Sequence, residues 1–333
     1  MPTSDILIVG AGALGSLLGA RLAGAGVSVR LVARGAHAEA IRKDGLLFRR
    51  PGADARVNVD VLDHPERRDG TIVFLTSKAP DVAAIASDLA ARCGDDVPTV
   101  CWQNGVRSEA DASAALRSVY GATTSSNASV PTPGVVVEAR LLPCAIGRYP
   151  NGDDTMCSSV VELLVRAGLP AVVEPDIIAV KWSKIFGSVF GAVVAVVDKP
   201  PSDPEMRPFL IELLVETLTC VRAAGITLKP VPGQPDPEAW IAQLRAGGGP
   251  APATSTDETF RIRTSTWQDL TQRRPRNEGD FLNGAVVELA ARHGVAAPLN
   301  RAVQQALADL AAKELGPGAY TVGDLRRLAT MFR

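Results

Sequence analysis

ILIVGAGALGSLLGARLAGAGVSVRLVAR, residues 6–34, sets spaced glycines between two apolar runs. Ile6–Val9 is an apolar run long enough for a buried strand and too short for a helix. Gly10, Gly12 and Gly15 follow at G-x-G-x-x-G spacing, with Ala11, Ala13 and Leu14 between them. Leu17 to Leu22 then continue at helical period, Gly24 and Gly26 stop the helix, and Val27–Val32 supplies a second strand. Strand, glycine turn, helix and strand together form the context in which this spacing indicates a dinucleotide site. Gly10 permits a tight turn, Gly12 lets the backbone approach a pyrophosphate, and Gly15 lets helix and strand pack closely. The helix N-terminus adds unpaired N–H groups and the positive end of its dipole. The expected class is α/β, with a Rossmann-like dinucleotide-binding domain at the N-terminus.

The end of the second strand bears on which dinucleotide binds. A preference for NAD shows as an Asp or Glu there, accepting from the ribose 2′-hydroxyl. Here the chain reads Val32-Ala33-Arg34-Gly35, without an acid. Arg34 could grip a 2′-phosphate bidentately; the plain alternative is a solvated arginine after a strand. NADP(H) is therefore favoured as cofactor.

A chain of 333 residues predicts about two domains. The formal net charge of −1 gives no footing for nucleic acid or an anionic membrane. Basic pairs such as Arg273-Arg274 read as solvated faces. Cys93, Cys101, Cys144, Cys157 and Cys220 show no C-x-x-C pairing, and His37, His64 and His293 are scattered. No metal site is expected, and the irregular, odd set of cysteines suits a reducing compartment. The N-terminus enters a strand at once, without a signal-type region, and no apolar run approaches the length of a membrane span. The expectation is a soluble cytoplasmic protein.

Further along, His37–Lys43 reads as a helix stopped by Gly45, and Leu46–Leu62 as a strand pair around Pro51-Gly52. Thr71–Thr76 is a buried strand ending at Ser77-Lys78-Ala79-Pro80, and Asp81 can cap a helix through Ala91. Thr99–Trp102 is a strand with Gln103-Asn104-Gly105-Val106 at its C-terminal end. Ligands of open α/β sheets bind beyond the C-terminal ends of strands, which gathers the glycine turn, Lys78 and Asn104. Asn-Gly is equally an ordinary turn signal. More strands follow to Pro150, then a helix over Ser158–Ala167. Near Val172–Asp176 the pattern becomes mostly helical, so the domains are expected at 1–175 and 176–333. Helices are expected over Ile177–Val197, Asp203–Gly225, Thr264–Leu270, Phe281–His293 and Arg301–Leu315. Between Lys229 and Ser255 a Pro/Gly-rich segment, with a short helix near Ala239–Arg245, reads as a flexible insertion or lid.

Taken together, these stretches resemble the ketopantoate reductase family (2-dehydropantoate 2-reductases). The resemblance spans nearly the whole chain. It is carried by GAGALG, VARG, TSKA at Lys78, QNGV at Asn104, PG at Pro133-Gly134 and IG at Ile146-Gly147. WSK at Trp182–Lys184, TSTWQDL at Thr264–Leu270, NEGDFLNG at Asn277–Gly284 and HGVAAPLN at His293–Asn300 complete it. It implies an all-helical second domain, 176–333, carrying substrate and catalysis, and reduction of a 2-oxo acid or related carbonyl with NADPH in a cleft between the two domains. By the same resemblance Lys184 matches the catalytic lysine, a cation suited to stabilise developing oxyanion charge and deliver a proton. Lys181, one turn earlier, is the local competitor. Glu278 matches a glutamate that engages substrate and holds the lysine. Ser265 matches a substrate-binding serine, and Asn104 the asparagine that orients substrate and nicotinamide. Arg34 and Lys78 match residues at the adenosine 2′-phosphate.

The sequence also departs from the family pattern. Asparagines stand four and eight residues after the lysine in typical members, where this chain has Ser188 and Ala192. At helical spacing both are expected on the face of Lys184, at the substrate. Shorter or absent amides point to a more apolar substrate. The segment before Glu278 is also one residue longer than usual. Three functions stay in view: a 2-oxo acid reductase with Lys184 as general acid, a family member acting on a more apolar carbonyl or an imine, and an NADP(H)-binding sensor without turnover. A homodimer is compatible with each.

Overall fold

The structure is a computed structural model of the chain; it describes residues 5–248, 259, 264–273 and 278–332. Arg274, Asn277 and residues 249–255 of the Pro/Gly-rich segment lie outside the described residues. The chain forms two compact units. The first takes residues 5–103 and 108–178, the second 104–107, 179–248, 264–273 and 278–332.

In chain order the first unit begins with β1 (Asp5–Val9), α1 (Ala13–Gly24), β2 (Ser28–Val32) and α2 (Gly35–Asp44). There follow β3 (Leu46–Arg50), β4 (Ala53–Val57), β5 (Asp60–Leu62), β6 (Thr71–Leu75), α3 (Val82–Cys93) and β7 (Thr99–Cys101). It closes with α4 (Ser108–Ser113), β8 (Val119–Thr124), β9 (Asn127–Ser129), β10 (Val135–Arg140), β11 (Cys144–Arg148), α5 (Thr155–Arg166) and β12 (Ala171–Val173).

The main sheet has the order β12-β11-β8-β7-β6-β1-β2-β5. From β5 to β8 all neighbours are parallel, and these six strands have the Rossmann order 3-2-1-4-5-6. β1 is central, with Ile8 beside Leu31 of β2 and Phe74 of β6. Side chains alternate across a strand. Ile6 and Ile8 therefore enter a core with Leu17 and Leu22, and Leu7 and Val9 one with Val82 and Leu89. Burial on both faces is why β1 reads as an unbroken apolar run.

Arg30 of β2 breaks the apolar run of its strand and is 0% exposed. It pairs bidentately with Asp5 and donates to Glu66 O at 2.8 Å and Thr71 Oγ1 at 3.2 Å. Burial pushes the Asp5 carboxyl up, but the hydrogen bonds from Arg30 and Thr71 outweigh it and hold the group below the usual carboxylate range. This clasp joins β1, β2 and β6 at the end of the strands remote from the glycine turn.

Leu46–Leu62 forms three strands rather than two. β3 and β4 pair antiparallel about Pro51-Gly52, while β5 joins the main sheet. β4-β3-β10-β9 is a second sheet packed on α1, where Arg21 pairs with Glu138. Asp81 makes no capping hydrogen bond through its side chain. It ends a short 3₁₀ turn, Ala79–Asp81, in a helical conformation, whereas a capping side chain is usually offered from an extended residue.

The second unit is helical among its described residues. It contains α6 (Ile177–Val197, whose first two residues belong to the first unit), α7 (Met206–Ala223), α8 (Pro237–Arg245) and α9 (Ser265–Thr271). A 3₁₀ turn, Gly279–Phe281, leads into α10 (Asn283–Arg292), α11 (Pro298–Ala312) and α12 (Val322–Thr330). Two expectations need correcting. α6, at 21 residues with mean hydropathy 1.6 in its most apolar window, is long and apolar enough to span a membrane, and 72% of that window is buried within the protein. It is a core helix. α8 is packed rather than loose: Asp236 caps it, Ile241 and Leu244 are buried, and Trp240 lies 5.1 Å from the Phe190 ring.

Candidate active site

The dinucleotide turn lies at the C-terminal end of β1. Gly10 has φ +113°, and a Cβ there would sit 2.7 Å from Ser77 N. A Cβ on Gly15 would overlap the Gly10 carbonyl oxygen and come 2.6 Å from Thr76 Oγ1. Around Gly12, by contrast, a Cβ would meet nothing within 4 Å. Two glycines are pressed against backbone and the one between them faces open space. Gly12 is also the N-cap of α1, without a side-chain cap and with no acid in the first turn. Uncapped N–H groups beside an open cradle suit a phosphate, so the loop formed by Gly10, Ala11, Gly12, Ala13, Leu14 and Gly15 fits a dinucleotide.

Arg34 is exposed at the N-cap of α2, whose first turn holds no acid. Lys78 is half-buried before the 3₁₀ turn that leaves β6. Gln103 ties the end of β7 to that of β6, its amide donating to Leu75 O at 2.7 Å and Ser77 O at 3.2 Å.

In the second unit, Lys184 and Ser188 are half-buried on α6, whereas Lys181 is 2% exposed. The Ser188 hydroxyl leans back to Lys184 O at 3.4 Å. Ala192 is 0% exposed. The geometry of the helix accounts for the difference: each four-residue step overshoots a full turn by about 40°, so the eighth residue is rotated by about 80°. The position that continues the line of Lys184 is Gly191. There the missing side chain admits Thr264, whose Cγ2 would lie 3.1 Å from a Gly191 Cβ. Thr264 caps α9 by accepting from Trp267 N–H at 3.1 Å, and Trp267 Nε1–H donates to Asp198 Oδ1 at 3.1 Å. α9 is thereby clamped beside α6, and half-buried Ser265 follows Thr264 directly.

A second group forms around Glu278. This residue is 7% exposed and opens the 3₁₀ turn, its carbonyl accepting from Phe281 N–H at 2.9 Å. Gly105, at φ +86°, passes so close that a Cβ would sit 2.6 Å from Phe281 O. The Arg107 guanidinium lies 5.2 Å from the Phe281 ring centroid. Asn104 is therefore carried to the turn that Glu278 begins, and belongs with it to the second unit.

Asn283 and Asn300, which help to carry the sequence resemblance, serve the scaffold. Asn283 Nδ2 donates to Asn300 Oδ1 at 3.0 Å, and Asn300 Nδ2 to Glu216 Oε1 at 2.9 Å. Glu216 in turn accepts from the N–H groups of Leu299 and Asn300 at the start of α11. Burial pushes the Glu216 carboxyl above its usual range, against those bonds.

The family model for ketopantoate reductase PanE/ApbA matches residues 6–151, and that for its C-terminal region residues 176–311. The chain belongs to the ketopantoate reductase family. It is an oxidoreductase of that family. A 2-dehydropantoate 2-reductase of Archaeoglobus fulgidus is 31% identical over 305 residues, covering 90% of this chain and 96% of its own. That of Pyrococcus horikoshii is 29% identical over 302 residues, covering 89% and 93%. A PanE/ApbA family ketopantoate reductase from Ralstonia eutropha superposes with TM-score 0.79 at 23% identity, covering 93% of this chain and 99% of that one. D-mandelate dehydrogenase, solved with NADH and anilino(oxo)acetate, gives 0.78 at 19%, with the same coverage. Those two likenesses speak to the fold alone.

In this ketopantoate reductase family member the glycine loop opens α1 and Lys184 lies on α6. Reading the sequence alone missed what supports them. Thr76 Oγ1 donates to Gly10 O at 2.7 Å, and Gly191 seats α9. The only signal for Gly191 was its place seven residues after Lys184, two turns on the same line.

Proposed function

We propose that the protein reduces a 2-oxo acid with NADPH. The observation that carries this reading is similarity through both units to enzymes named 2-dehydropantoate 2-reductase. The bound nicotinamide supplies the hydride. Uncapped N–H groups at Gly12 and the start of α1 receive the pyrophosphate, and Arg34, with Lys78, meets the 2′-phosphate. Lys184 stabilises the charge that develops on the carbonyl oxygen and gives it a proton. Asn104, Ser265 and Glu278 orient the substrate, and Glu278 also holds Lys184. The test is a panel of 2-oxo acids followed by loss of NADPH absorbance; absence of turnover with every member would overturn the assignment of 2-oxo acids as the substrate class.

Arg34→Ala should raise the KM for NADPH by roughly ten- to a hundredfold, the range for a charged hydrogen-bonded pair worth about 1.5–3 kcal/mol. NADH kinetics should scarcely move. Wild-type protein that used NADH as readily as NADPH would remove Arg34 from this role.

A more apolar substrate than ketopantoate is favoured by Ser188, the half-buried residue one turn from Lys184 where typical members carry an amide. Ser188→Asn should raise kcat/KM for ketopantoate, relative to a 2-oxo acid of similar size without the hydroxyl, by about one to two decades. That range corresponds to pairing a hydroxyl otherwise left unpaired at roughly 1–3 kcal/mol. Ala192→Asn should instead lower Tm, since it forces an amide into the core. If wild-type protein already prefers ketopantoate and Ser188→Asn changes nothing, the residue does not select the substrate.

A further inference from the structure

We propose that His37 is a positioning residue for dinucleotide binding, acting through Ser16 on the peptide that joins Ala11 to Gly12. His37 lies in the first turn of α2, half-buried, three residues after Arg34. Its Nδ1 accepts from the Gly134 backbone N–H at 3.0 Å. A backbone N–H can only donate, so Nδ1 bears no proton and the neutral ring carries it on Nε2. Nε2 faces Ser16 Oγ at 3.1 Å and therefore donates to it. The Ser16 hydroxyl, accepting on one side, donates to Ala11 O at 3.1 Å. Burial, which lowers the pKa of the imidazole, agrees with this neutral form.

The relay has one sense, Gly134 to His37 to Ser16 to Ala11, and it ends in the glycine loop. A trans peptide is planar with C=O and N–H antiparallel, so holding the Ala11 carbonyl sets the direction of the Gly12 N–H. The preceding carbonyl, Gly10 O, is held by Thr76 Oγ1. Both peptides at the open cradle are thus oriented by side chains. Without His37, the Ser16 hydroxyl is free to turn towards the carbonyl four residues back, that of Gly12, and the Ala11 carbonyl loses its donor.

The proposal rests on the reading that this loop holds NADPH, and the experiment separates the two. NADPH Kd, from fluorescence titration, and Tm are measured for wild type, His37→Asn, His37→Gln, Ser16→Ala and His37→Asn/Ser16→Ala. The asparagine carbonyl overlies Nδ1 and keeps the bond from Gly134 but cannot reach Ser16. The glutamine amide nitrogen overlies Nε2 and keeps Ser16. His37→Asn and Ser16→Ala should each raise Kd about tenfold, the size of one hydrogen bond. The double variant should show the same tenfold and not the product, because the two act in series. His37→Gln should stay within about twofold of wild type in Kd even if its Tm falls. Wild type that binds neither NADPH nor NADH overturns the functional reading and this proposal together. Wild type that binds, with His37→Asn or Ser16→Ala binding equally well, with multiplied effects in the double variant, or with Kd tracking Tm across the set, overturns the proposal alone.

Discussion

Lys184→Ala is expected to lower kcat by about 10²–10⁴, the scale of a positioned general acid, while leaving NADPH affinity near that of wild type. The two halves of this expectation come from different places. The glycine loop, Arg34 and Lys78, the residues proposed to hold the dinucleotide, belong to the first unit and Lys184 to the second, so removing the lysine leaves them intact. The size of the loss follows from what hydride addition demands. Negative charge builds on the carbonyl oxygen as the hydride arrives, and alanine can neither balance that charge nor yield a proton. α6 should remain folded, because Lys184 is half-buried whereas its neighbours Ile185 and Phe186 are core residues. Steady-state kinetics of the variant, beside a direct NADPH titration, read the two effects separately. A variant with unchanged kcat would move the proton donor elsewhere, and Lys181, at 2% exposure, would be a poor replacement.

Gly15→Ala is expected to destabilise the fold and lower kcat/KM, whereas Gly12→Ala should act on cofactor binding alone. At Gly15 the new methyl would overlap the Gly10 carbonyl oxygen and crowd Thr76 Oγ1. No rotamer relieves a Cβ, so α1 and the loop must separate. Overpacking of this kind costs about 1–3 kcal/mol of stability, and a displacement near 1 Å at the cofactor lowers kcat/KM by roughly 10². Gly12→Ala meets nothing within 4 Å. It should leave Tm almost unchanged and still weaken NADPH if, as proposed, the pyrophosphate occupies the open space beside Gly12. The measurement is Tm and NADPH Kd for both variants. Gly12→Ala binding NADPH as wild type does would show that the open side of the loop is not the phosphate site.

Much of this protein was legible in the order of its residues, for reasons of periodicity. β1, α1 and β2 follow from an unbroken apolar run, three spaced glycines and a helical repeat, all local signals that a buried parallel strand and its crossover helix impose. The helical half was legible in the same way, down to the 21-residue span of α6. α12 carried a signal that was there to be read: Thr321 and Asp324 form a reciprocal capping box, a pattern written within four residues. What sequence could not decide lies between residues far apart in the chain. A step of four residues keeps side chains on one helical face only approximately, and by the eighth residue the drift buried Ala192 and left Gly191 in line with Lys184. Arg30 is a charge in an apolar strand whose partners Asp5 and Thr71 lie 25 and 41 residues away in the chain and meet it only in the fold. His37 reached Ser16 across 21 residues and Gly134 across 97. Local propensity and apolar period determine which elements form. The direction of a hydrogen bond and the packing around a missing Cβ arise only when those elements meet.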